Sequence, residues 1–219
     1  YAMPRGALRS ELIACLRQSR KSRRPRARGA DRRGTIPNMT SIHDRPAEVA
    51  ERLVPGHWEG DLIKGARNAS AIGTLVERAS LFVTLAKMEN ASAEAAVAGF
   101  CSVLARIDAQ RRLSLTYDQG REMAQHARLT EMTQVRVYFA DPHSPWQRGI
   151  NENTNGLLRQ YFPKGADLSG FSQDELDAVA WQLNTRPRKS LNWLCPAEVF
   201  MPESFDFKKH YQQLVALRT

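Results

Sequence analysis

The chain has 219 residues and a formal net charge of +9. No apolar stretch approaches the roughly 20 residues that a membrane-spanning helix needs, which argues against a membrane protein. Its three cysteines lie far apart and have no close Cys or His neighbour, which argues against a four-ligand zinc cluster and against a disulfide-rich secreted domain.

The positive charge is concentrated near the N-terminus. Residues 1–50 hold twelve Lys or Arg and four Asp or Glu, whereas the rest of the chain is almost neutral. Such an arm favours a polyanionic partner, most often nucleic acid, with a solubilising tail as the alternative. The chain has no signal-peptide pattern. Because it lacks an initiator Met, we expect a fragment of a longer protein. The arm residues that we expect to contact DNA phosphates are Arg20, Lys21, Arg23, Arg24, Arg26 and Arg28.

The predicted secondary structure alternates between short strands and helices. In chain order it comprises a helix over 7–18, an extended arm over 19–40, strands over 57–64, 70–78 and 80–88, a helix from Ser92 to about Ile107, a strand over 113–117, a helix over 121–133, a strand over 135–139, a helix from near Ile150 and a helix over 172–184. This order predicts an α/β fold with a mixed sheet and helices on both faces. The predicted domains are a basic helix and arm over 1–44, a core over 45–202 and a helical tail over 203–219.

Three acidic residues lie at positions that suit a metal site. Asp61 stands inside the first predicted strand, where Asp is disfavoured, and Glu59 is its rival because alternate residues share a strand face. Asp118 ends an apolar strand at a Gly-containing turn, with turn capping as the alternative. Glu152 opens a helix, whose dipole alone would favour an anion. Carboxylates from separate elements suit Mg²⁺ and metal-dependent phosphoryl transfer. The acids that are less well placed are Asp108, Glu122 and Asp141.

Six segments resemble the insertion-sequence transposases of the IS-thirty type, which belong to the DDE transposase and integrase superfamily. The third acidic block, DPHSPWQRGINENTNG, is the most specific of them. The match covers about residues 45–202. The six segments are 55–63 (PGHWEGDLI), 74–78 (TLVER), 116–120 (TYDQG), 141–156, 184–189 (NTRPRK) and 195–198 (CPAE).

This resemblance implies a fold, an activity and a set of partners. It implies an RNase H-like core with a five-stranded mixed sheet, three antiparallel strands being followed by two parallel ones. Asp61, Asp118 and Glu152 would form the catalytic and metal-binding triad, with two Mg²⁺ or Mn²⁺ ions per active site. The implied reaction is cleavage and strand transfer at transposon ends and target DNA. The implied protein self-associates as a homodimer or larger assembly, needs no small-molecule substrate, and works in the bacterial cytoplasm at the nucleoid.

Residues near Glu152 are further candidates for DNA contact. Asn155 and Arg159 follow it by three and seven residues and therefore share its helix face. His143 and Arg148 lie in the preceding loop. For Arg159, a solvated surface charge is the alternative.

Two aromatic side chains have a simpler explanation than function. Trp146 could stack on a flipped base, but we expect it to pack in the core or anchor a hairpin. His57 is expected to be a packed histidine rather than a catalytic one.

Two rival functions stay open. A nuclease of the same fold would hydrolyse DNA without joining it. Alternatively, the chain is a catalytically silent fragment that binds DNA or dimerises with intact transposase as an inhibitor. Transposases of this type usually carry an N-terminal helix-turn-helix region, and this chain begins after the corresponding point, whereas the presence of all three carboxylates favours a functional active site.

Overall fold

The fold is taken from a computed structural model that describes residues 36–216, apart from the side chains at 211 and 213–216. The predicted helix over 7–18, most of the extended arm and all six arm residues expected to contact DNA lie outside the described residues. No helix among the described residues is long and apolar enough to cross a membrane.

Helices and strands alternate along the described chain. In order they are α1 (Glu48–Glu51), β1 (His57–Lys64), β2 (Ala71–Glu77), β3 (Val83–Met88), α2 (Ala93–Leu104), β4 (Ser114–Tyr117), α3 (His126–Thr133), β5 (Arg136–Phe139), α4 (Gly149–Leu158), α5 (Gln173–Asn184), α6 (Pro196–Phe200) and α7 (Phe207–Ala216).

These elements confirm the strands and helices predicted between 57 and 184 to within a few residues, with one exception. The helix predicted over 121–133 is broken into a 3₁₀ turn at Arg121–Met123 and the shorter α3, because Gln125 adopts a non-helical φ of −101° and ψ of 28°. Ser92 caps α2 as predicted, since its side chain accepts a hydrogen bond from the Ala95 N–H.

The five strands form one sheet in the order β3-β2-β1-β4-β5. Strands β1, β2 and β3 pair antiparallel, whereas β4 pairs parallel with both β1 and β5. The predicted mixed sheet is therefore confirmed. The sheet changes from antiparallel to parallel at β1, and the parallel neighbour of β1 is β4.

Each face of the sheet supports its own hydrophobic core, as alternation along β1 requires. Trp58 and Leu62 belong to one core, which α2 and α3 cover with Phe100 and Leu129. Ile63 belongs to the other core, which α4 and α5 cover. The helices on both faces that the sequence predicted are thus confirmed.

Helix α5 also protects the free edge of the sheet at β3. Its first residue, Gln173, accepts from the Lys87 N–H at 2.9 Å and donates to the Leu85 carbonyl at 2.8 Å. Its last residue, Asn184, accepts from the Val83 N–H and donates to the Val83 carbonyl, both at 2.8 Å. These two amides take the place of a neighbouring strand and cover backbone groups that would otherwise invite edge pairing.

Residues just before the predicted core boundary at 45 pack against the sheet. Ile36 and Ile42 are buried, and Ser41 forms a parallel bridge with Phe139 at the end of β5. The boundary at 44 stays a prediction, but the described packing extends back at least to Ile36.

Candidate active site

Asp61 and Asp118 meet where the sheet changes direction. In the parallel pairing of β1 with β4, Glu59 lies opposite Thr116. Continuing this register by two residues brings Asp61 beside Asp118, which directly follows β4. The predicted convergence of the two aspartates is therefore a consequence of strand order, and it lies at the carboxyl end of β4, where ligand sites of α/β sheets are found.

The two aspartates are held in the same way. One oxygen of each carboxylate accepts a backbone N–H close in sequence: Oδ1 of Asp61 from Leu62 at 2.8 Å and Oδ1 of Asp118 from Gly120 at 2.9 Å. The other oxygen of each, Oδ2, faces the guanidinium of Arg148, at 3.9 Å for Asp61 and 3.2 Å for Asp118. Both side chains are thus oriented, and both present their second oxygen to one cationic group.

Arg148 is part of this site rather than a free surface cation. It is only 7% exposed. Its Nη1 donates to the Gly60 carbonyl at 2.9 Å, and its guanidinium lies 5.9 Å from the centre of the Tyr117 ring. The sequence suggested a DNA contact for Arg148; that contact stays a prediction, and in this structure the guanidinium is turned towards the two aspartates.

Gly60 makes room for two core side chains of β4 behind the site. A Cβ atom at this position would lie 2.8 Å from Cδ2 of Tyr117 and 3.0 Å from Cδ1 of Leu115. A larger residue would collide with these two buried side chains, which explains a glycine between Glu59 and Asp61.

Glu59, the rival of Asp61, serves a different purpose. It shares the strand face of Asp61 as predicted, but it is 1% exposed and forms an ion pair with Arg78. Its other oxygen accepts the Asn151 N–H at 2.9 Å. Burial raises the pKa of Glu59, and Arg78 and this N–H oppose the rise. Glu59 therefore anchors α4 to the sheet, with both of its oxygens already engaged.

One polar side chain of helix α4 contacts Asp61. Asn155 donates from Nδ2 to Oδ2 of Asp61 at 3.0 Å, and its own Oδ1 is buried with no partner among the described residues. Glu152 lies one turn earlier, and its side chain is exposed. It makes no hydrogen bond or ion pair with a described residue, so its role as the third ligand stays a prediction.

Arg159 lies one turn beyond Asn155 and is partly buried. Its Nη1 makes long contacts to the carbonyls of Phe162 at 3.4 Å and Lys64 at 3.5 Å. Burial lowers the pKa of Arg159, while the charge of Asp61 opposes that shift. Arg159 therefore lies within electrostatic reach of Asp61, but its proposed DNA contact stays a prediction.

The loop before α4 holds two exposed side chains. His143 is exposed and adopts a positive φ of 61°; its proposed DNA contact also stays a prediction. Trp146 is 73% exposed, so the expectation that it packs in the core is wrong. It lies in the 3₁₀ turn Pro145–Arg148, in which Arg148 turns inward and Trp146 points outward.

Glu122 is an acidic neighbour of the two aspartates, although its position in the sequence is less favourable than theirs. It is 7% exposed, and its Oε1 lies 3.5 Å from Nζ of Lys64. A Cβ atom at Gly120 would lie within 2.8 Å of both Glu122 and Asp118, so both carboxylates approach the same point beside this glycine. The sequence feature that points to Glu122 is its position four residues after Asp118, in the turn that follows β4.

The site is suited to a divalent cation. Mg²⁺ is commonly held by one or two carboxylates, with water and substrate phosphates completing the shell, and Asp61 and Asp118 provide such a pair. Burial raises the pKa of Asp61, an effect that Arg148 offsets and that Asp118 and Glu122 reinforce, so a cation beside these acids favours the ionised form. Among the described residues, no group of three or more His, Cys, Asp or Glu side chains is placed to hold a metal ion.

Comparison with known proteins relates 91% of the chain to transposases. Residues 51–145 match the integrase core domain family. Over 91% of its length the chain is 66% identical to the transposase for insertion sequence element IS1086 of Cupriavidus metallidurans, and 45% identical to the transposase InsI for element IS30A of Escherichia coli K12. It spans 59% and 52% of those two proteins, or a little over half of their lengths.

The fold has a counterpart among solved structures. A chain in the cryo-EM structure of the simian T-cell lymphotropic virus intasome with the PP2A regulatory subunit B56 gamma superposes with a TM-score of 0.55, covering 70% of this chain and 57% of that one. At 19% identity, this likeness shows the fold alone. Together with the mixed five-stranded sheet, it confirms the predicted RNase H-like fold.

Proposed function

We propose that this chain, which belongs to the IS-thirty-type family of insertion-sequence transposases, cuts DNA and joins the cut end to a target with the help of divalent metal ions. The observation that carries the proposal is the pairing of Asp61 and Asp118 across β1 and β4, with both Oδ2 atoms facing one guanidinium. The guanidinium shows that a positive charge is accommodated beside both carboxylates. A metal ion that catalyses phosphoryl transfer needs the same kind of carboxylate pair.

Asp61 and Asp118 would hold Mg²⁺ or Mn²⁺, and Glu152 is the proposed third ligand. Two such ions would stabilise the attacking and the leaving oxygen of the phosphodiester. The protein contributes orientation: the Leu62 and Gly120 N–H groups fix one oxygen of each aspartate, and Asn155 positions the second oxygen of Asp61. No side chain needs to form a covalent intermediate with DNA.

The proposed partners follow from this chemistry. The substrates are the transposon ends and the target DNA. Self-association, at least as a homodimer, would allow two ends to be processed together. A DNA substrate in a bacterial cell would place the protein in the cytoplasm at the nucleoid.

The proposal is tested by a strand-transfer assay on labelled DNA with Mg²⁺, comparing the native chain with Asp118→Ala. We expect the native chain to be active and Asp118→Ala to lose activity by a factor of at least about 10², since the positioned metals supply several kcal/mol of transition-state stabilisation. Asp174→Ala is the matched control, because Asp174 is an exposed aspartate in the first turn of α5, far along the chain from the site.

Using a DNA end with a free 3′-hydroxyl separates joining from hydrolysis. Cleavage without joining would support the nuclease of the same fold. Full activity in a folded Asp118→Ala protein would overturn the assigned site. DNA binding without any activity in the native chain would favour the silent, inhibitory fragment.

A further inference from the structure

A cationic cavity lies beside the active site, on the side of the Arg78–Glu59 pair. It has a volume of about 290 Å³ and is open to solvent. Three guanidinium groups line it, and the exposed indole of Trp146 stands at its rim. Its polar lining comprises His43, Arg45, Arg52, Glu59, Arg78 and Gln147.

The carboxylate in this cavity does not neutralise all of its positive charge. Glu59 is engaged by Arg78 and by the Asn151 N–H. His43 is paired with Asp141 at 2.9 Å. Neither of the other two arginines lies within ion-pairing distance of a carboxylate in the described part of the chain. Among the described residues, two guanidinium groups of the lining therefore have no carboxylate partner.

Arg45 and Arg52 are placed differently within the cavity. Arg45 is partly buried and donates to the neutral hydroxyl of Thr116 at 3.0 Å. Burial lowers its pKa, and the neighbouring charges of Arg78 and Arg52 lower it further, whereas Glu59 opposes them. Arg52 is exposed and adopts a left-handed conformation with φ of 57° at the end of α1. Like charges are thus held together by the fold, an arrangement that a bound anion would relieve.

We infer that this cavity binds one phosphate group of the DNA backbone next to the active site, held jointly by Arg45 and Arg52. Guanidinium groups are suited to phosphate because they donate in a planar fork, and an exposed aromatic ring at the rim can stack on a base. Along β1, Glu59 lies two residues, or about 7 Å, from Asp61. Gln147, also in the lining, directly precedes Arg148. The inference rests on the proposed function, since it assumes that DNA passes over the site.

The experiment measures the affinity of the full chain for a DNA duplex of arbitrary sequence at several salt concentrations, in EDTA so that no catalysis is involved. Each neutralised phosphate contributes about 0.9 to the slope of log affinity against log salt. We compare the native chain with Arg45→Gln, Arg52→Gln and the double variant. Arg128→Gln is the control, because Arg128 is an exposed arginine on α3, which covers the other face of the sheet.

A shared phosphate predicts non-additive losses. Each single variant lowers the slope, and the double variant lowers it by about 0.9 in total, because both arginines hold the same group. A second readout is the quenching of Trp146 fluorescence by the duplex, which is assigned to Trp146 by its loss in Trp146→Phe. We expect this quenching to decrease in the double variant and to persist in Arg128→Gln.

Two results would overturn the inference while leaving the proposed function intact. One is a double variant whose salt slope equals that of the native chain, while the native chain still performs strand transfer. The other is a decrease of about twice 0.9, which would mean that the two arginines act as independent surface charges. Absence of any DNA binding by the native chain would overturn the proposed function as well.

Discussion

Arg148 is the residue on which the geometry of the site depends most. Asp61 and Asp118 approach each other at the end of a strand pair, and their charges repel. The guanidinium between them offsets this repulsion, while its hydrogen bond to the Gly60 carbonyl ties the pair to β1. The side chain therefore stabilises the ionised pair in the absence of metal.

Arg148→Gln should destabilise the metal-free protein by about 1–3 kcal/mol, which is the usual cost of removing hydrogen bonds to charged groups. The half-exposed Asp118 keeps the cost below that of a fully buried pair. Arg148→Lys retains the charge but not the planar fork, so its destabilisation should be smaller. Urea unfolding in EDTA measures both, with Arg128→Gln as the exposed control.

The same variants test whether the aspartate pair attracts metal. Because Arg148→Gln leaves the carboxylates without their internal counter-ion, Mg²⁺ should raise its Tm more than it raises that of the native chain. An equal rise in both proteins would contradict the view that Arg148 and a metal ion stabilise the same pair.

Individual elements differ in how far the sequence reveals them. The strands could be predicted because the apolar residues Trp58, Leu62 and Ile63 and the apolar runs at 113–117 and 135–139 are local signals. The order of the strands in the sheet places β1 beside β4 and thereby brings Asp61 and Asp118 together. The hydrogen bonds of Arg148 with Gly60 and of Asn184 with Val83 could not be predicted, since each joins residues 88 or 101 positions apart. The break at Gln125 was missed because it follows no Pro or Gly.

Asn184 has a structural role at the edge of the sheet that the sequence motif alone does not explain. It ends α5, is 2% exposed, and completes the backbone hydrogen bonding of β3. The segment NTRPRK was recognised by its resemblance to transposases, but its first residue serves the sheet edge. The motif therefore contributes a structural asparagine in addition to its cationic side chains.

Asn184→Leu should destabilise the protein by about 2–5 kcal/mol, because both the N–H and the carbonyl of Val83 would be left without partners in a buried environment. It should also increase aggregation, since the edge of β3 is uncovered. Chemical unfolding and light scattering measure these effects. Asn153→Leu, the same change at an exposed helical position, is the control and should stay close to native stability. A native-like Asn184→Leu protein would show that the edge does not need this amide.

At the scale of the whole molecule, the excess positive charge and the candidate active site lie in different parts of the chain. The acidic site lies in a core that is almost neutral overall, whereas most of the excess positive charge belongs to the first 50 residues. DNA is a polyanion, and a carboxylate site repels it until metal is bound. For the proposed DNA substrate, long-range attraction must therefore come from cations outside the site, which include the arm and the cavity at Arg45 and Arg52.

Replacing six arm residues with Gln in the full chain should lower the salt slope of DNA binding by about 0.9 for each phosphate that the arm no longer neutralises. The reason is that arm cations release counterions from the duplex without reading bases. The residues to replace are Arg20, Lys21, Arg23, Arg24, Arg26 and Arg28.

The control is the pair Lys208→Gln and Lys209→Gln, two exposed lysines in α7, compared per charge removed. A larger decrease in slope per charge in the arm variant would identify the arm as a DNA-binding segment. Combining the arm variant with Arg45→Gln and Arg52→Gln should then add the two decreases, because they involve different phosphates. An unchanged slope in the arm variant would instead mean that the core supplies the attraction and that the arm does not bind DNA.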